Sequence, residues 1–139
     1  MKVLVCGGRE YGSIPKGCPQ DQIAEYRKIA ARQRFLLCET LDVADQENNF
    51  TALIHGASTG ADNHAADWAR RRGLAVLSFP ANWYPNGRKG RLDRSAGPKR
   101  NQRMIDEGKP DLVIAFPGGD GTADMIDRAH KAKIRVLEV

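Results

Sequence analysis

DLVIAFPGGDGTADM, residues 111–125, is the stretch that decides the fold. It reads as a strand, Asp111–Phe116, then a turn, Pro117–Gly121, then the opening of a helix, Thr122–Ala132. A short apolar, β-branched run that passes through glycines into a helical pattern is what a strand feeding a crossover helix looks like. Moving outward, the same succession recurs. Lys2–Cys6 is a buried first strand running into Gly7 and Gly8, and residues 8–19 form a glycine- and proline-punctuated loop. From Asp21 to about Asp45 the spacing of Ile23, Tyr26, Ala30, Leu37 and Leu41 predicts a long helix. Thr51–Ile54 is a second strand, Ala61–Arg72 a helix stopped by Gly73, and Leu74–Phe79 a third strand stopped by Pro80. A further helix runs from about Pro98 to Glu107, with Pro98 in its first turn. Ile134–Val139 is the last strand. Strands alternating with helices call for a parallel sheet covered on both faces. The expected fold is a single α/β, Rossmann-like, three-layer domain over 1–139, its five-stranded parallel sheet ordered 3-2-1-4-5. In that order the strand direction of travel reverses between strands one and four, and ligands bind at the carboxyl ends there.

A chain of 139 residues has room for one core. The net charge of +5 is not spread evenly. Residues 84–103 hold Arg88, Lys89, Arg91, Arg94, Lys99, Arg100 and Arg103 against Asp93 alone, a net of +6, which leaves −1 for the rest of the chain. The protein is thus a near-neutral domain carrying one basic insert, at about 84–97. No apolar run reaches the roughly 18–20 residues that span a bilayer, and the N-terminal apolar run is too short for a signal peptide. Cys6, Cys18 and Cys38 have neither disulfide-framework nor zinc spacing. A cytoplasmic setting, no membrane, no metal and no cofactor are the expectations.

Three strand-to-helix turns are glycine-rich: Gly7-Gly8-Arg9 after strand one, His55-Gly56-Ala57-Ser58-Thr59-Gly60-Ala61-Asp62 after strand two, and Pro117-Gly118-Gly119-Asp120-Gly121-Thr122 after strand four. Free N–H groups at a helix start suit a phosphate. One such turn is ordinarily just a tight connection; three at or beside the reversal point favour an anion site. Neither the Walker A pattern nor G-x-G-x-x-G occurs, which argues against a P-loop ATPase or a dinucleotide-type dehydrogenase.

PGGDGT at 117–122 resembles the P-G-G-x-G-T signature of the lonely guy phosphoribohydrolases, and Arg100-Asn-Gln-Arg-Met104 resembles their R-K-x-x-M element. HGASTGADNHAADWA at 55–69 resembles the S-G-x-A-x-G-I-D-x-x-A-H stretch of the DNA-processing protein A family. The order VCGGRE, HGASTGAD, FPANW, GPKRNQRM, AFPGGDGTADM is most similar to the YspA/YpsA-related SLOG family. The resemblance implies a nucleotide or nucleotide-derived small-molecule ligand and, through the phosphoribohydrolases, a homodimer paired through helices. It also raises hydrolysis of the N-glycosidic bond of a nucleoside 5′-monophosphate. In those enzymes a Glu follows as G-T-x-x-E and works with the Arg of R-K-x-x-M. Met125 stands at that Glu position here. On this reading Arg100 is the catalytic arginine, and Asp124 or Asp120 substitutes for the missing acid by stabilising an oxocarbenium-like cation.

Among single residues, Arg9 reads as a phosphate ligand. Ser58 and Thr59 are candidates to bind phosphate or simply turn formers, and Arg103 shares a helix face with Arg100. Asp62 is either a helix N-cap or a ribose ligand; His55 is a general base or a structural histidine. His64 and His130 read as surface or packing residues, and Trp68 as core. Trp83 either stacks on a base or pins its loop. The insert over 84–96 reads as a basic lid. Three functions stay open: a nucleotide-cleaving enzyme, a nucleotide sensor without catalysis, and, less favoured, a protein that binds single-stranded nucleic acid through the insert.

Overall fold

The computed structural model describes all residues from Met1 to Val139. Its strands are β1 (Lys2–Cys6), β2 (Ala52–His55), β3 (Ala75–Ser78), β4 (Leu112–Ala115) and β5 (Arg135–Glu138). They form one sheet in the order β3-β2-β1-β4-β5, with every pair parallel. The helices are α1 (Ile23–Asn48), α2 (Ala61–Arg71), α3 (Ala96–Asp106) and α4 (Asp120–Lys131), so the Rossmann-like α/β arrangement holds as read from the sequence.

The three inner strands are buried along their apolar runs, as parallel strands covered on both faces must be. Side chains alternate between the faces. Val3, Val5, Leu53 and Ile114 join Leu37 and Leu41 of α1 and Trp68 of α2 on one side. Leu4, Ile54, Val113 and Ala115 join Met104 of α3 and Met125 of α4 on the other. Trp68 is a core residue, its indole N–H donating to Asp42 at 2.8 Å.

The elements differ from the sequence reading at their ends. A 3-10 turn, Gln20–Gln22, precedes α1, and α1 continues to Asn48, where Asn49 adopts a left-handed conformation and donates back to the Asp45 carbonyl. Helix α3 starts at Ala96, two residues earlier than read from the sequence, and Pro98, its third residue, lies in the first turn as expected; a proline fits there because the first-turn N–H groups have no intrahelical acceptor anyway. Helix α4 takes in Asp120 and Gly121, which the sequence reading assigns to the turn. No helix is long and apolar enough to cross a membrane.

Candidate functional site

The β1, β2 and β4 turns are tied to one another. Gly8 N donates to Pro117 O at 2.9 Å, and Gly8 O accepts from Ala61 N at 3.1 Å. The ties need glycine. A Cβ on Gly7 would lie 2.6 Å from the Ala61 Cβ, and one on Gly8 would lie 3.0 Å from Pro117 O. Beside these turns, at the carboxyl ends of β1 and β4, opens a cleft of about 660 Å³.

The cleft collects most of the residues that the sequence singles out. Gly7, Gly8 and Arg9 come from the end of β1; Gly56, Ser58 and Asp62 from the β2 turn and α2; Arg100 from α3; Gly119, Asp120, Gly121, Thr122 and Asp124 from the start of α4. Thr59 and Gly60 line an adjoining cavity of about 680 Å³, which shares Arg9, Gly56, Ser58, Trp83 and Arg100 with the first. Ser13 and His64 also line this second cavity, 3.2 Å apart between Oγ and Nε2, so of the two readings of His64 the packing one fits. Four candidates are not brought to either cavity. His55 is buried; its Nδ1 accepts from Ala57 N at 3.0 Å and its Nε2 meets Ser78 Oγ at 2.8 Å. Burial first, then Arg70 and Arg100, hold its proton affinity below the usual range. That is the structural histidine, not the general base. Arg103 turns away, onto the Phe79 ring and into an ion pair with Glu107 at 2.7 Å. Pro117 and Gly118 build the turn beneath the cleft, and a Cβ on Gly118 would land on the Thr122 hydroxyl.

At the start of α4 the first loop-to-helix bond is Ala123 N to Gly119 O, at 3.1 Å. The N–H groups of Asp120, Gly121 and Thr122 therefore precede the helical ladder and are free for an anion. Around them the cleft carries three guanidinium groups, Arg9, Arg94 and Arg100, and three carboxylates, Asp62, Asp120 and Asp124.

Arg100 is the hub. It donates through Nη1 to Gly56 O and through Nε to Asn101 Oδ1 at 3.0 Å. Gly56 makes room for it, since a Cβ there would lie 2.6 Å from the Arg100 Nη1. Burial lowers the affinity of Arg100 for its proton; Asp62 works against that and Arg9 adds to it. Asn101 in turn donates to Asp124 Oδ2 at 2.9 Å and to Gly121 O at 3.2 Å, and Arg128 donates to the same carboxylate oxygen at 2.8 Å. Partial burial opposes ionisation of Asp124, but these two donors outweigh it and hold the carboxyl below its ordinary range. Asp124 is thus an anion with one oxygen shared by two donors. Met125, at the position of the phosphoribohydrolase Glu, is buried under α4.

Asp62 behaves differently. Gly60, not Asp62, caps α2. Asp62 Oδ2 accepts from Gly56 N at 3.0 Å and Ser58 N at 3.2 Å, which folds the β2 turn over it, while Oδ1 has no protein partner. Burial raises its pKa from 3.8 to about 6, against the pull of the Ser58 N–H, Arg100, the Gly56 N–H and Arg9. Behind it, burial and then Asp62 push the Cys6 thiol up to about 12, so Cys6 is inert.

The basic insert is only partly a lid. Arg94 lines the cleft, whereas Arg88, Lys89 and Arg91 are exposed and line neither cavity. The insert is hooked to α3 by Asp93, which accepts from Ser95 N at 2.9 Å and from Ser95 Oγ and pairs with Lys99. Trp83 touches Gly97 at the start of α3 and carries the Arg9 guanidinium over its ring at 5.5 Å. Arg94→Ala is expected to weaken anion binding in the cleft by about tenfold, and the triple replacement of Arg88, Lys89 and Arg91 by alanine to leave it unchanged, both read by titration calorimetry.

Asn101 is the cleft residue that the sequence reading passes over. Its signal is a polar side chain at a buried position of the α3 stripe formed by Gly97, Met104 and Ile105.

A Rossmann-like domain with an anion-suited cleft at its strand ends is the class these features define. The chain belongs to the YspA, cpYpsA-related SLOG family, whose profile matches residues 1–84. That span carries the β1 and β2 turns; α3 and the β4 turn lie beyond it. No curated protein gives a significant match.

Proposed function

We propose that the cleft binds a nucleoside 5′-phosphate and holds it as a signal or bound ligand. The observation that carries this is the pairing of three guanidinium groups and a free helix start with carboxylates in one cleft. Guanidinium groups and free N–H groups suit phosphate oxygens. A carboxylate oxygen without a partner, Asp62 Oδ1, suits a ribose hydroxyl as donor. Trp83 lines both cavities, with Arg9 over its ring. The test is calorimetry against a panel of nucleoside mono- and diphosphates, with mass spectrometry of the ligand recovered. Saturable binding of an unchanged nucleotide supports the reading, and no binding by any of the panel removes it.

A second reading, hydrolysis of the base–ribose bond, is favoured by Asp62. Of the three acids in the cleft, Asp124 is ion-paired with Arg128 and Asp120 is exposed, whereas Asp62 is buried near Arg100 and forms no ion pair. A carboxylate there stabilises an oxocarbenium-like cation, and Arg100 orients the sugar. This reading requires free base to appear on incubation. It also requires Asp62→Asn to lower turnover by roughly a hundredfold or more, with ligand affinity changed by no more than about tenfold.

Asp62→Asn also has a stability signature. Its folded pKa, about 6, lies above its ordinary 3.8, so the folded chain binds the extra proton between those values. Stability contributed by this proton is complete below the lower value and is lost as pH rises through the upper one. The amide cannot ionise. Asp62→Asn is therefore expected to gain about 1–3 kcal/mol over the wild type near neutral pH and nothing at about pH 4, read by urea unfolding at both.

A further inference from the structure

We propose that the two adjoining cavities form one bipartite site for a nucleoside diphosphate sugar, with the nucleoside in the first cavity, the diphosphate at the junction and the sugar in the second. This rests on the nucleotide reading of the first cavity and adds what lies beyond the phosphate. The cavities measure about 660 and 680 Å³. Each has room for a ligand of its own, since small-molecule sites run to roughly 300–1,000 Å³. A nucleoside monophosphate seated in the first leaves the second unfilled.

The junction supplies the link. Arg9 and Arg100 line both cavities, and neither forms an ion pair within the chain. They are like charges, near enough that Arg9 weakens the hold of Arg100 on its proton. An anion lodged between them relieves that repulsion. Each guanidinium grips one phosphate through paired N–H groups, so two of them suit a diphosphate. Arg9 is fixed for this: its carbonyl accepts from Thr59 Oγ1 at 3.0 Å, and its guanidinium lies 5.5 Å from the Trp83 ring centroid.

The lining of the second cavity names the far group. It offers the Ser58 hydroxyl, the Asn63 amide and the Glu10 carboxylate. Asn63 and Glu10 are exposed, and Glu10 forms no ion pair within the chain. A hydroxyl and an amide both donate and accept, and a carboxylate accepts, which is the mixture that neighbouring sugar hydroxyls pair with. A second base would need an open ring face. Trp83 has Arg9 over its ring and Gly97 against its edge. His64 meets Ser13 Oγ and lies so close to Gly12 that a Cβ there would be 2.8 Å from the imidazole. The wall is set beforehand. Ala57, which belongs to it, holds φ +59°, a conformation that a residue with a Cβ keeps only where its surroundings compel it, and its N–H is tied to His55 Nδ1 at 3.0 Å.

Titration calorimetry on the full chain tests the proposal with matched sets: AMP, ADP and ADP-glucose; UMP, UDP and UDP-glucose; GMP, GDP and GDP-mannose. Within the set whose base is accepted, the sugar-linked ligand is expected to bind about tenfold or more tightly than its diphosphate, the gain from one or two hydrogen bonds in the second cavity. Asn63 lines the second cavity and not the first. Asn63→Leu should therefore remove most of that gain and leave the monophosphate affinity unchanged. Asn63→Trp, which fills the cavity from an exposed position, should do the same, and circular dichroism confirms that both variants fold. A sugar-linked ligand that binds no more tightly than its diphosphate, with the monophosphate still bound, overturns the proposal and leaves the nucleotide reading standing. No binding by any member of the sets overturns both. A gain that both Asn63 variants leave untouched also overturns the proposal. So does tighter binding of diadenosine diphosphate than of ADP-glucose, which would put a second nucleoside in the second cavity.

Discussion

Arg100→Ala is expected to lower affinity for a nucleoside 5′-phosphate by roughly two to three orders of magnitude while leaving the domain folded. The side chain stands between the two cavities and takes part in both. Two of its donors are spent on Gly56 O and Asn101 Oδ1, which fixes the plane of the guanidinium. The donors that remain are held in place before a ligand arrives, and charge-assisted bonds of this kind are about twice as strong as neutral ones. Lysine keeps the charge but not the fork, so Arg100→Lys should retain only part of the affinity, with a loss of about tenfold. An independent readout is Asp62. Arg100 is one of the groups that restrain its pKa, so alanine at 100 should move the Asp62 titration upward from about 6, followed by carboxyl-carbon chemical shifts. Unchanged nucleotide affinity in the alanine variant would put the ligand elsewhere.

Gly60→Val is expected to cost about 4 kcal/mol or more, a large share of the roughly 5–15 kcal/mol that holds a domain together. Two causes add. Gly60 has φ +78° and ψ −126°, a backbone conformation open only to glycine. A Cβ there would also land on the Gly8 and Arg9 carbonyl groups, which are backbone and cannot swing aside. Gly17 separates the two effects. It has φ +73° with nothing within 4 Å of a Cβ, so Gly17→Ala carries only the conformational part, about 1 kcal/mol. Urea unfolding of both variants measures the difference, and similar losses in the two would show that the packing of Gly60 against the β1 turn contributes little.

The sheet order was legible because it depends on coarse patterns. Runs such as Lys2–Cys6 and Leu112–Ala115 are apolar without alternation, and each is followed by glycine and a helical period. Right-handed crossovers then leave few arrangements. Helix ends were less legible, because the bonds that open α3 and α4, Lys99 N to Ser95 O and Ala123 N to Gly119 O, reach back to loop residues that no propensity marks. The turns that line the cleft could be read from their glycines, since a glycine before a helix marks close approach of backbone. What those glycines approach could not be read: Gly56 faces the Arg100 guanidinium, 44 residues further along the chain. The same limit applies to Asp62. Its sequence position suggests a helix cap, and only the folded β2 turn shows two N–H groups converging on one of its oxygens. Asn101 was hidden by its neighbour, because Arg100 carried the family pattern while the adjacent amide did the joining of α3 to α4. The insert misled by its charge count: four cations so close together in sequence look like one clamp, yet the loop path delivers only Arg94 to the cleft.

The tie of Gly8 to both Pro117 and Ala61 has a thermodynamic consequence. It binds together three loops that are far apart in the chain, and the conformational entropy of bringing them together is spent when the domain folds. A ligand entering the cleft meets N–H groups and guanidinium groups that are already ordered, so its binding free energy is not drained by loop closure. The Gly8 amide should accordingly exchange with solvent deuterium at close to the rate set by global unfolding, with or without nucleotide. A fast-exchanging Gly8 that slows only when nucleotide is added would mean that the ligand, and not the fold, assembles the site.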